Sequence, residues 1–95
     1  MASSVIPFVH AMWHKGKDLQ ANSSQAYVIS NRTGFFVVAR DTRTNIFGTI
    51  AFGTPRIQSD NGTETGKVSI SYDTETETAT FTNSSNHAMA VSFYY

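Results

Sequence analysis

The chain contains no cysteine, so it has neither a disulfide framework nor a thiolate to serve as nucleophile or metal ligand, and its stability must come from packing or from partner subunits. Charge is scarce as well: seven basic and seven acidic residues among 95 cancel to a formal charge of zero. That balance lacks the basic footprint that phosphate neutralisation requires, which argues against nucleic acid as a partner. It also removes the self-repulsion that keeps small proteins apart. No apolar run is long enough for a transmembrane helix, so membrane insertion is not expected. The opening residues Met1-Ala2-Ser3-Ser4-Val5-Ile6-Pro7-Phe8 carry no basic segment and are interrupted by Pro7, so they do not read as a signal peptide. Intracellular synthesis is the expectation, and the final compartment stays open.

What the chain does contain is apolar and aromatic. With 40% hydrophobic and 13% aromatic residues against 15% charged, there is enough apolar surface to offset the entropy of ordering, and a single folded domain over residues 1–95 is expected. Short segments rich in β-branched and aromatic residues are separated by Asn, Asp, Gly, Ser and Thr at intervals of about 8–12 residues, the spacing of an all-β sandwich or barrel. Tyr27-Val28-Ile29-Ser30 leads through Asn31-Arg32-Thr33-Gly34 into Phe35 to Arg40, which reads as a hairpin with Gly34 free to take a positive φ. A meander continues through Ile46 to Phe52, with Ile46, Ile50 and Phe52 on one face and Phe47 and Ala51 on the other. After Gly53-Thr54-Pro55 comes a shorter strand near Arg56-Ile57-Gln58, then a polar loop, Ser59 to Gly66, with no residue suited to a core. Val68, Ile70 and Tyr72, then Ala79 and Phe81, then Met89, Val91, Phe93 and Tyr95 each mark one inward face. Residues 5–15 suit either a strand or a short helix started by Pro7; the content of Val, Ile, Phe and Trp favours the strand.

Some strands are apolar on both faces. Phe35, Val37 and Ala39 alternate with Phe36 and Val38, and Tyr94 opposes Phe93 and Tyr95. A chain of this length has little material to cover both faces, and contiguous exposed apolar patches mark contact surfaces. Phe36, Val38, Phe47 and Tyr94 are therefore candidates for a homo-oligomer interface, with a trimer as the expected order. The alternative is that they pack beneath loops or the N-terminal segment.

The reactive residues do not form a catalytic pattern. His10 and His14 are spaced for a metal pair but lack a third ligand nearby, unless His87 approaches in space. Asp73, Glu75 and Glu77 read as solvated hairpin charges, and Asp60-Asn61-Gly62 does not match a calcium loop. No serine sits in a G-x-S-x-G elbow. The expectation is a non-enzyme with no cofactor and no metal. Four N-x-[ST] sequons, at Asn22, Asn31, Asn61 and Asn83, read as turn chemistry. Trp13 and Tyr27, with Tyr94 and Tyr95 and with Arg32, Arg40 and Arg43, form a candidate ligand surface for sugar or peptide, since aromatic faces stack on sugars while guanidinium groups bond hydroxyls; the same aromatics equally suit a subunit contact.

The order of a short apolar N-terminal strand, Ser4-Val5-Ile6-Pro7-Phe8-Val9, then Thr- and Gly-rich meander strands, then an aromatic terminal strand, Val91-Ser92-Phe93-Tyr94-Tyr95, resembles the small jelly-roll head modules of phage tail and receptor-binding proteins, and more distantly the C1q/TNF-like sandwich. That resemblance implies a jelly-roll-like antiparallel β-sandwich of about eight short strands. It also implies a self-assembling structural or receptor-binding module of a virion, facing a cell-surface glycan or protein receptor. The alternative is a small lectin-like carbohydrate-binding protein.

Overall fold

In the computed structural model, residues 13–29, 32–40, 44–62 and 64–94 are described. They form eight strands: β1 (Trp13–Lys15), β2 (Ser23–Val28), β3 (Gly34–Ala39), β4 (Asn45–Ala51), β5 (Thr54–Asn61), β6 (Val68–Asp73), β7 (Thr78–Asn83) and β8 (Ala90–Tyr94). All pair antiparallel, in a five-stranded sheet ordered β1-β8-β3-β4-β5 and a three-stranded sheet ordered β2-β7-β6. The all-β sandwich expected from the spacing of turns is the fold. Within the larger sheet, β3, β4 and β5 are a meander and β8 returns beside β3, the order of a Greek key. Of residues 5–15, the part described, 13–15, is strand; residues 5–12 lie outside the described residues.

The core is what the period-2 alternation places inward. Phe36, Val38, Ile46, Ile50, Val91 and Phe93 from one sheet meet Val68, Ala79 and Phe81 from the other, and Leu19, Ile29 and Met89, outside the eight strands, join them. Leu19 and Met89 also exchange backbone hydrogen bonds of 2.7 and 2.9 Å where the chain leaves β1 for the second sheet.

Three local expectations change. Residues 27–40 are not a hairpin: β2 pairs with β7 while β3 pairs with β4 and β8, so the connection crosses between sheets. The positive φ there belongs to Arg32 at 56°. Phe52 does not share the inward face of Ile46 and Ile50, because β4 ends at Ala51 and the chain turns at Phe52-Gly53. Finally, β5 is a long edge strand that runs to Asn61. Pro55, an extra residue at Gln58 and the charge of Asp60 interrupt its regularity, as edge strands require.

Buried polar groups close one end. The Asn83 side chain, fully buried, donates through Nδ2 to the carbonyls of Leu19 (3.2 Å), Gln20 (3.2 Å) and His87 (2.8 Å) and accepts from the Ser85 amide at 2.9 Å. It ties the crossing after β1 to the loop between β7 and β8. It is the last residue of a strand rather than a surface turn, so the sequon it begins is closed to glycosylation in the folded chain.

Gly48 faces Phe36 across β3 and β4, and a Cβ there would stand 2.2 Å from Phe36 Cζ and 2.4 Å from the Arg56 carbonyl oxygen. The ring needs the space that this residue leaves open. Gly48→Ala is expected to destabilise the fold by about 1–3 kcal/mol through overpacking. Urea unfolding checks this, and an unchanged midpoint would show that the Phe36 ring repacks at no cost.

Candidate functional site

The two sheets present different outer faces. On the smaller one, β7 turns out Thr78, Thr80 and Thr82, β6 turns out Ser69 and Ser71, and the Ser24 and Thr82 hydroxyls hydrogen-bond at 2.8 Å. Apart from Val28, exposed opposite Thr78, this is a surface that water solvates well. On the larger one, aromatic residues cluster among those that alternate with the core residues, beside Val37, Thr49 and Ser92. Trp13 on β1 stands opposite Tyr94 on β8, which stands opposite Phe35 on β3, so three side chains meet in direct register across three strands. Their ring centroids are 5.4 Å apart for Trp13 and Tyr94 and 6.1 Å for Phe35 and Tyr94. Phe47 on β4 extends the row by stacking on Phe35 at 5.8 Å with 21° between the planes. Together the four rings line an open groove of about 290 Å³. Trp13 and Phe35 remain 54% and 45% exposed. Lys15 and Arg56 stand at the two margins of this face.

The candidate interface residues therefore separate. Phe47 and Tyr94 lie on this outer face, whereas Phe36 and Val38 are fully buried. The expectation is corrected at those two positions: strand alternation points them inward, where the Phe36 ring meets Phe81 edge-on at 5.1 Å. Their neighbours Phe35 and Val37 take the outward places.

The candidate ligand surface also divides. Trp13 joins the aromatic row. The Tyr27 ring instead packs against Phe93 at 4.7 Å and Phe81 at 5.8 Å, with its hydroxyl donating to the Lys17 carbonyl at 2.7 Å. Arg32 precedes β3 and Arg40 follows it, so a strand of about 20 Å separates them. Arg43, like His10, lies outside the described residues. Trp13, Tyr27, Arg32 and Arg40 thus do not converge on one surface.

Sequence reading missed one cluster. Glu64, placed in a polar loop, is only 7% exposed, and its Oε1 accepts from Arg40 Nη1 at 3.2 Å and pairs with His87 Nδ1 at 2.8 Å. The carboxylate joins the end of β3 to the turn before β6 and the loop before β8. No local pattern announces it, because its partners are 24 and 23 residues away. Among the described residues no group of three or more His, Cys, Asp or Glu could hold a metal.

A comparison with known protein families, with curated proteins and with solved structures finds no match to this chain.

Burial pushes the Tyr27 phenol above its ordinary pKa of 10.0, and the nearby Asp18 charge adds to the shift. A pKa higher in the folded than in the unfolded chain gives a stabilisation that is complete below pH 10.0 and is lost as pH rises through the folded value. Unfolding midpoints are expected to fall with alkaline pH and to fall less steeply in Tyr27→Phe. Identical slopes would mean that Tyr27 ionises as freely folded as unfolded.

Proposed function

We propose that this domain is a non-enzymatic module that assembles with itself through the outer face of the five-stranded sheet and serves as a structural or receptor-binding unit, with a phage virion as its setting. The observation that carries the assembly is the row Trp13, Tyr94, Phe35 and Phe47 on a face where a sandwich normally places polar groups. Large aromatics are enriched at subunit contacts, and a chain with no net charge opposes association least. The virion setting and the receptor, a cell-surface glycan or protein, follow from the resemblance to jelly-roll head modules.

A lectin-like reading has one observation in its favour, the exposure of Trp13 in an open groove. Sugar recognition also needs several polar groups directed at hydroxyls, and the groove residues offer only the Trp13 indole N–H and the Tyr94 hydroxyl, with Lys15 and Arg56 at the margins. Self-assembly therefore stands first.

Light scattering behind size exclusion, over a range of concentrations, is expected to show an oligomer, with a trimer as the expected order. Phe47→Glu should yield folded monomer. The substitution gives up an outward ring contact worth about 0.5–1.5 kcal/mol, which a folded domain tolerates. A wild-type chain that is monomeric at every concentration would overturn the assembly. Glycan binding abolished by Trp13→Ala in such a monomer would put the lectin reading ahead.

A further inference from the structure

Phe52 occupies a position that favours neither its backbone nor its side chain. Ala51 and Thr54 are register partners, so Phe52 and Gly53 are the two central residues of the turn between β4 and β5. Their φ angles of 50° and 83° are both positive, as a type I′ turn demands. Glycine takes such an angle freely, and Asn or Asp tolerates it, but for a bulky residue it is strained. The side chain gains nothing in return within its own chain, because Phe52 is 90% exposed.

The turn is nevertheless braced. The Phe52 amide donates to Thr33 Oγ1 at 3.2 Å, and the Gly53 amide donates to the Arg32 carbonyl at 2.8 Å. A Cβ on Gly53 would lie 2.6 Å from the Thr74 methyl, so the turn also rests on the tip of the β6–β7 hairpin. The phenyl ring thus projects from a backbone that is already ordered before any contact forms, and only the ring's own rotamer freedom is left to be lost.

The same chain carries a receptacle for a ring. The groove of about 290 Å³ between Trp13, Phe35, Phe47 and Tyr94 is open and shallow, and its floor is formed by four rings, a surface on which a further ring can stack. Phe52 does not fill it within its own chain, since its ring is in solvent. We infer that Phe52 of one copy inserts into the aromatic groove of a second copy. This rests on the self-assembly proposed above and specifies its contact: a knob and a groove at different positions, which a closed three-membered ring repeats head to tail.

The test uses the full chain and two variants. Phe52→Asn supplies a residue that suits the left-handed turn, so its thermal midpoint should equal or exceed that of the wild type, while its association weakens at least a hundredfold. Trp13 is the sole tryptophan and lines the groove, so its emission should shift to the blue as the wild type assembles. It should stay at the monomer wavelength in Phe52→Asn at the same concentration. If Phe52→Asn assembles like the wild type while Phe47→Glu dissociates, the inserted ring is refuted and assembly through the outer face stands. If the wild type is monomeric throughout, the assembly fails; if Phe47→Glu assembles unchanged, the outer face is not the contact; in either case the inference fails with it.

Discussion

The sandwich depends on one cluster of rings that locks its two sheets together. Phe81 of β7 meets Phe36 at 5.1 Å and Phe93 at 5.4 Å across the interior, and Tyr27 closes the cluster edge-on against Phe93 at 4.7 Å. Tilted and edge-to-face pairs of this kind add to the gain from burial. They also fix register, because a slip of one residue on any of these strands would turn its ring to the other face. Gly48 belongs to the same constraint, since the Phe36 ring occupies the space its side chain would need.

Once the interior is filled in this way, the outward aromatics of the larger sheet have no place inside. Phe35, Phe47 and Tyr94 sit on strands whose alternate residues already supply the core, and Trp13 lines up with them through the pairing of β1 with β8. The hydroxyl-bearing face of the smaller sheet shows what the same fold does where it meets water. The contrast between the two faces, rather than the number of apolar residues, gives the aromatic row its meaning.

The ends of the sandwich use different chemistry. At one, Asn83 and Glu64 each gather partners from distant segments and satisfy a buried polar group by doing so. That end has Asn22 as its one non-glycine residue with positive φ among the described residues, an amino acid that tolerates it. At the other, Arg32, Phe52 and Glu77 adopt positive φ in tight connections. Backbone strain of that kind persists where the surroundings over-determine it, and the hydrogen bonds from the Phe52 and Gly53 amides do so at the β4–β5 turn.

The class of fold and most of the inward residues were legible in the amino-acid order, because period-2 alternation and turn-forming residues are local properties: Val68, Ala79, Phe81, Met89, Val91 and Phe93 are all buried as their spacing demands. That order also showed that some strands are apolar on both sides. It did not tell which side of β3 is inside, since Phe36 and Val38 alternate with Phe35 and Val37 and neither face is polar. Nor did it show that residues 27–40 change sheets, that Phe52 leaves the strand, or that Glu64 is buried. Those outcomes depend on partners far along the chain: β7 for β2, β8 for β3, Arg40 and His87 for Glu64. Only tertiary structure brings such partners within reach, and only there do four rings from four strands become one groove.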